Sequence, residues 1–193
     1  MATTVTVHAL KGFSGEQDAH FRRSARLLGQ AVNRSEFRDR VLKAPYKELL
    51  FRVDANTVVT KTPEEVADII ARGVERDTAK DGEIDLSITR DDTIKRPTVG
   101  STRIGDPHFR TAGWFIDLAT TKKDTISPAR HMVHEWLHVA GFTHKANDGR
   151  REDVPYLVGD VVRSILKAGP ALVDAVEDEE VAEALERSME EIE

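Results

Sequence analysis

Three histidines and one glutamate within residues 134–144 have the types and spacing of a metal-dependent hydrolytic site. His134 and His138 are four residues apart, and on a helix this spacing stacks two imidazoles on one face, about one turn apart. Two imidazoles placed in this way can bind a single metal ion. Gly141 permits a sharp exit from the helix, because glycine tolerates left-handed backbone angles. His144 can then return as a third ligand.

The chemistry expected of these residues is hydrolysis with a zinc-activated water. Three neutral protein ligands leave a fourth position open, which is the pattern of a catalytic zinc site. Zinc lowers the pKa of water towards neutrality, and a neighbouring carboxylate can take the proton and later return it to the leaving group. Glu135 follows the first histidine and is placed for that role. The chain has no cysteine, so the predicted Zn²⁺ is bound by His134, His138 and His144.

The pattern His-Glu-x-x-His-x-x-Gly-x-x-His over residues 134–144 resembles the metzincin clan of zinc peptidases. The match is local, but a coincidental match is expected in only about 1 in 100,000 chains of this length. The resemblance implies a zinc metallopeptidase, an endopeptidase in type, with three histidine ligands and a glutamate base. It also implies a sheet-based upper subdomain, a smaller helical lower one, and an edge strand that pairs with an extended peptide or protein substrate.

The chain departs from the clan's pattern after the third histidine. The clan has a methionine in a turn beneath the metal, and no methionine lies between His144 and the next predicted helix. Residues 153–157, Asp-Val-Pro-Tyr-Leu, take the equivalent place. We expect Val154 or Leu157 to form the apolar floor instead. Tyr156 resembles the tyrosine that some of these enzymes place after that turn, which implies a catalytic role as a ligand or an oxyanion donor.

Three further polar residues are weaker candidates. His131 precedes His134 by three residues and shares its side of the helix. We favour a core or outer-shell histidine over a fourth ligand, because catalytic zinc usually keeps three protein ligands. His108 lies in a predicted loop and is expected at the surface rather than in the cleft. Asp117 is expected on a strand near the site, where it either orients a ligand histidine or faces solvent.

Hydrophobic periodicity predicts the elements that position the motif. The predicted strands are Thr4–Leu10, Leu49–Val53, a strand with Ile84, Leu86 and Ile88, an edge strand over Thr98–Ile104, and Trp114–Leu118. The predicted helices contain Phe21 to Val32, begin at Ser35, follow a capping box at Thr62 to Glu65, run from Ser127 to Gly141, and begin at Pro155. This order predicts an α+β, zincin-like fold: a mixed twisted sheet with helices packed on it, and the active-site helix followed by a small helical C-terminal subdomain.

Length and charge indicate one domain with an acidic tail. A chain of 193 residues can bury a sizeable core. The formal net charge is −6, yet Asp174–Glu193 alone carries −9, so the rest of the chain is slightly basic. We expect residues 1–170 to form the zincin-like metallopeptidase domain. Residues 171–193 are expected to form an acidic amphipathic helix that packs at the rim of the cleft or shields it.

The composition argues against nucleic-acid and membrane partners. The net charge is negative, and no stretch approaches the roughly 20 apolar residues that span a bilayer. The N-terminus has neither the basic region nor the long apolar run of a signal peptide, so the cytoplasm is the expected location. Export without a cleaved signal is also compatible with these residues. Nothing in the sequence indicates an oligomeric state.

Two other classes of function compete with the peptidase. A bacterial family of endoribonucleases that mature ribosomal RNA has a similar His-x-x-x-His-x-x-Gly-x-x-His motif, but without the glutamate after the first histidine. Glu135 and the lack of a basic patch count against that class, because RNA affinity depends heavily on phosphate neutralisation. The other class is a non-catalytic metal-binding module with a structural or assembly role. Glu135 counts against that class as well.

Overall fold

The computed structural model describes residues 2–75, 81–144 and 152–169. Within them the chain forms six helices, a four-stranded mixed sheet and a two-stranded hairpin. The strands are β1 (Thr4–Lys11), β2 (Leu50–Arg52), β3 (Val58–Thr60), β4 (Glu83–Asp91), β5 (Gly100–Thr102) and β6 (His108–Ala112). The helices are α1 (Gly15–Val32), α2 (Ser35–Leu42), α3 (Pro63–Ala71), α4 (Gly113–Thr121), α5 (Ile126–Ala140) and α6 (Val154–Ala168). The predicted α+β class with a mixed sheet is confirmed.

The four-stranded sheet has the order β1-β4-β6-β5. The pairs β1·β4 and β4·β6 are parallel, whereas β5 is antiparallel to β6 and lies at the edge. Ile84, Leu86 and Ile88 on β4 are fully buried, as their alternation with polar residues predicts. Gly100 begins the edge strand, which is shorter than the predicted Thr98–Ile104 but in the predicted place.

Capping and helical periodicity were read correctly for most helices. Thr62 caps α3 in a capping box with Glu65. The α5 helix ends at Ala140 with Gly141 as its C-cap, and α6 begins with a proline in its first turn and stops before Gly169. The inner face of α6 buries Val158, Val162, Ile165 and Leu166, while Leu157 and Val161 are half-buried.

The predicted strand Trp114–Leu118 is wrong, because these residues lie in helix α4. A short apolar run does not by itself distinguish a strand from a buried helix segment. The helical period becomes visible only when the run is extended to Ala119. Ile116 and Ala119 are both buried and are three residues apart, which is a helical spacing. The strand in this part of the chain is β6, which comes just before α4. Its first residue is His108, which the sequence predicts in a loop.

Two predictions concern residues 170–193. The acidic C-terminal helix over 171–193 lies outside the described residues, as does the domain boundary at 170. In the described part of the chain, no helix combines the length and hydrophobicity needed to cross a membrane.

Candidate metal centre

Helix α5 positions the first two candidate ligands. Residues at i and i+4 share one helix face, and the ring centroids of His134 and His138 are 5.2 Å apart. The opposite side of the helix is anchored in the core by Met132, Trp136 and Leu137, which are fully buried. The helix therefore presents both imidazoles from a rigid support.

A tight turn after α5 brings the third histidine back. Gly141 has a φ of +124°, a conformation that residues with a Cβ rarely adopt, and its N–H bonds to carbonyls of the last helical turn. The N–H of Phe142 also donates to the carbonyl of Leu137, at 2.8 Å. His144 then lies beside His138, and nitrogen atoms of the three histidines come within 4.8 Å of one another. The structure thus brings the three predicted ligands together.

The segment around β2 supports both ends of the stretch that follows the motif. The N–H of Arg52 donates to the carbonyl of Gly141 at 2.8 Å, and the N–H of Thr143 donates to the carbonyl of Leu50 at 3.0 Å. Further along, the N–H of Lys47 donates to the carbonyl of Glu152 at 3.0 Å. Because residues 47–52 bond to the chain at Gly141, Thr143 and Glu152, they hold His144 near α5.

Hydrogen bonds orient two of the imidazoles towards a common point. Nδ1 of His138 lies 2.8 Å from the carbonyl of Phe142, and Nδ1 of His144 lies 2.7 Å from Oδ2 of Asp153. A carbonyl and a carboxylate accept, so each Nδ1 donates and each Nε2 keeps a lone pair. The two Nε2 atoms are 3.1 Å apart. Two such nitrogens at that distance can share either a proton or a metal ion.

The donor set fits zinc. Burial lowers the pKa of His138 to about 4 and holds the pKa of His134 well below its ordinary value. Both imidazoles are therefore neutral at physiological pH, as a metal ligand must be. Three imidazoles with no thiolate match catalytic zinc sites that keep an open position. His134, His138 and His144 are the residues that would bind the ion.

Glu135 lies beside the histidines but outside their cluster. Its side chain is almost completely buried, and burial raises the pKa of the carboxyl to about 7. The hydroxyl of Thr102 on β5 donates to its Oε2 at 2.6 Å. A carboxylate with a pKa near neutrality can both accept and return a proton.

His131 is a core residue, as the sequence favoured. Its Nε2 lies 3.0 Å from the hydroxyl of buried Thr111, and its ring packs edge-on against Phe109 and Phe115. Burial lowers its pKa to about 3. It does not belong to the group of histidines whose nitrogen atoms converge.

Asp117 and His108 lie away from the ligands. Asp117 sits on α4, where Arg90 donates to both of its oxygens and Gln17 donates to Oδ1. Its carboxylate is thus engaged at the surface and orients no ligand histidine. His108 is exposed at the start of β6, as the expectation of a surface histidine had it, although on a strand.

Tyr156 packs on the histidines from α6. Its ring is stacked on His144 with 5.0 Å between centroids, and it meets His134 edge-on at 4.6 Å. The residue is half-buried and lines the cleft. Val154, one of the two residues expected to form the apolar floor, is buried, whereas Leu157 is half-buried.

One cleft of about 700 Å³ contains the whole arrangement. The three histidines, Glu135 and Tyr156 of α6 line it. The edge strand β5 and the residues before it, Pro97 to Val99, line it as well. A volume in this range suits a ligand-binding site.

Two residues of the site, Asp153 and Thr102, were not predicted from the sequence to have a role there. Asp153 both accepts from His144 and caps α6 through Oδ1, which accepts from the N–H of Tyr156. An aspartate two residues before a proline at a predicted helix start is a recognisable N-cap, so its presence was foreseeable. Its contact with His144 was not. Thr102 lay within the predicted edge strand, but no local signal links it to Glu135.

Comparison with protein-family models, with curated proteins and with solved structures finds no match in any of the three. The function must therefore be argued from the geometry of the site itself.

Proposed function

We propose that the chain is a zinc-dependent metallopeptidase that hydrolyses peptide bonds in peptide or protein substrates. The observation that carries the proposal is the convergence of three histidine nitrogens beside a buried glutamate in an open cleft. A zinc ion bound by His134, His138 and His144 would supply a Lewis acid that activates water and polarises the substrate carbonyl.

Glu135 acts as the general base and then as the general acid in this proposal. It takes a proton from the attacking water and returns it to the leaving amine, so the carboxyl must change protonation state within one turnover. Burial raises the pKa of Glu135 above its ordinary value, which makes the carboxylate a stronger base for the first of these steps. Glu135 is therefore the first proposed catalytic residue.

The edge strand offers a place for an extended substrate. Among the described residues, β5 pairs with β6 on one side and has no strand on the other. Gly100, Ser101 and Thr102 also line the cleft. An added peptide strand would form main-chain hydrogen bonds with this edge and lie across the histidines. This arrangement supports a zincin-like fold and a metzincin-like mode of substrate binding.

Tyr156 is the second candidate catalytic residue. Its ring lies against both His134 and His144, so its side chain is placed at the rim of the proposed metal site. We propose that its hydroxyl stabilises the charge that develops on the substrate carbonyl oxygen. A donor of this kind contributes only if it lies within hydrogen-bond reach of that oxygen.

A comparison of wild type with Glu135→Gln tests the proposal. Both proteins are loaded with one equivalent of zinc and incubated with a proteome-derived peptide library, and the products are identified by mass spectrometry. Glutamine preserves the size of the side chain but accepts no proton. We expect the wild type to cleave and the variant to keep its zinc while losing at least a hundredfold in rate, at the low end for loss of a general base.

Three outcomes would contradict the proposal. Equal cleavage by both proteins would remove Glu135 as the base. A zinc-loaded wild type that cleaves no peptide would favour the non-catalytic metal-binding module. Cleavage of an RNA in place of peptides would favour the endoribonuclease.

A further inference from the structure

The edge strand meets the proposed base directly. Gly100 and Thr102 are two residues apart on β5 and therefore share one face, which is turned towards α5. A Cβ added to Gly100 would lie 2.9 Å from Oε1 of Glu135 and would collide with the ring of His131. The absence of a side chain at Gly100 is what lets the strand lie this close to the carboxylate.

Thr102 supplies the hydrogen bond on that face. Its hydroxyl donates to Oε2 of Glu135 at 2.6 Å, the short distance expected when the acceptor is charged. Threonine is branched at Cβ, so its χ1 angle is restricted and the hydroxyl has little freedom to turn away. A carboxylate has about four lone-pair sites, so this bond leaves others able to accept a proton from water.

The ring of His131 limits the movement of the Glu135 carboxylate from a second side. Nδ1 of His131 lies 3.6 Å from Oε1 of Glu135. The His131 ring is itself fixed by the hydroxyl of Thr111 on β6, 3.0 Å from Nε2. Two neighbouring strands of one sheet therefore confine the same carboxylate, one directly and one through His131.

We propose that Thr102 is a positioning residue that holds the carboxylate of Glu135 in the orientation from which it accepts the proton. This inference rests on the proposed function, because it assigns an orientation to the proposed base. A base confined in one orientation needs no reorganisation when the substrate arrives. Because Thr102 belongs to the strand proposed to bind substrate, the base and the substrate share one rigid support.

The test compares Thr102→Val with Thr102→Ser. Valine keeps the shape and the branched Cβ of threonine but lacks the hydroxyl, whereas serine keeps the hydroxyl. Thr120→Val is the matched control, since the Thr120 hydroxyl donates to the carbonyl of Ile116 at 2.9 Å within α4 and does not line the cleft. Each protein is loaded with zinc, and kcat and KM are measured on the best-cleaved peptide from the library.

We expect Thr102→Val to lower kcat by about tenfold or more, the effect of losing one hydrogen bond to a charged group. KM, zinc content and melting temperature should change little, and Thr102→Ser should recover most of the lost kcat. Thr120→Val should leave kcat unchanged. An unchanged kcat in Thr102→Val, or a loss that serine does not rescue, overturns the positioning role.

A crystal structure of Thr102→Val keeps the inference testable apart from activity. A Glu135 carboxylate turned away from its wild-type orientation supports the positioning role, and an unchanged orientation overturns it. If the wild type cleaves no peptide, the proposed peptidase fails, and the orientation of Glu135 in the variant decides the structural inference on its own.

Discussion

The proposed base and the proposed metal ligands are held by different means. A side chain of strand β5, the hydroxyl of Thr102, orients Glu135. Groups at helix ends orient two of the histidines: the carbonyl of Phe142, just after α5, contacts His138, and the carboxylate of Asp153, the N-cap of α6, contacts His144.

The difference follows from the groups that each element has available. The backbone groups of a strand point along the plane of the sheet, whereas its side chains stand roughly perpendicular to it, so β5 reaches a residue on α5 through a side chain. A helix terminus has unpaired backbone groups and capping side chains, and these can orient ligands at little cost. Substitution of the groups that orient the histidines should therefore affect metal binding, whereas substitution of Thr102 on β5 should affect the rate of reaction.

The largest effect on metal binding is expected from His138→Ala. Removal of one of three ligands should abolish stoichiometric zinc binding, because two imidazoles do not form a stable catalytic site. Elemental analysis after dialysis should find about one zinc per chain in the wild type and close to none in the variant. His108→Ala is the control, since His108 is exposed and outside the cluster.

Chelation should agree with that substitution. EDTA should lower the melting temperature of the wild type, because a ligand that binds only the folded state stabilises it. The same treatment should leave the melting temperature of His138→Ala unchanged. Full zinc occupancy in His138→Ala would show that the ligand assignment is wrong.

A smaller loss of zinc affinity is expected from Asp153→Ala. Removing the carboxylate that orients His144 should weaken zinc binding by about 10- to 100-fold, the usual effect of losing such a partner. The same substitution removes the N-cap of α6 and should cost about 1 kcal/mol of unfolding free energy. Competition with a zinc chelator measures the first effect, and urea denaturation measures the second.

Asp153→Asn separates the two roles. Aspartate uses one carboxylate oxygen for the cap and the other for His144, whereas asparagine has a single carbonyl oxygen. Asparagine can therefore still cap the helix, but it then presents an NH2 group to His144, which is no acceptor. It should recover most of the unfolding free energy and little of the zinc affinity. Equal zinc affinity in the wild type and Asp153→Ala would mean that the contact with His144 does not tune the metal site.

Gly141→Ala, in the turn that follows α5, should mainly lower the stability of the protein. The φ of +124° is strained for alanine, and an added Cβ would lie 2.9 Å from ring atoms of Phe51. We expect a loss of about 1–3 kcal/mol in the free energy of unfolding. Gly29→Ala is the matched control on α1, where a Cβ meets only Val5 at an ordinary 3.5 Å. That substitution should be neutral or stabilise by about 0.5–1 kcal/mol.

The smallest effect is expected from Tyr156→Phe. Phenylalanine keeps the ring that stacks on His144, so the free energy of unfolding should change by less than about 0.5 kcal/mol. If the hydroxyl stabilises the developing oxyanion, kcat should fall by about tenfold while KM and zinc affinity stay the same. A fall in zinc affinity would point to Tyr156 as a ligand instead, and an unchanged kcat would leave it a packing residue.

Much of the fold could be predicted because its signals are local. The capping box at Thr62, the alternation of Ile84, Leu86 and Ile88, and the glycine that ends α5 each depend on a few neighbouring residues. The error at Trp114–Leu118 arose where a short apolar run carries no clear period. Hairpin strand β3 was missed, and its residues Val58, Val59 and Thr60 are all exposed and show no burial pattern.

By itself, the sequence determined which residues could bind a metal and act as base, because a helix converts the spacing of His134 and His138 into a shared face and places Glu135 next to the first of them. Only the tertiary structure decided how these groups are oriented. Thr102 and Glu135 are 33 residues apart in the chain, and the segment that supports His144 lies about ninety residues before it. Contacts between such distant segments depend on how sheet and helices pack, and no local pattern in the sequence encodes them.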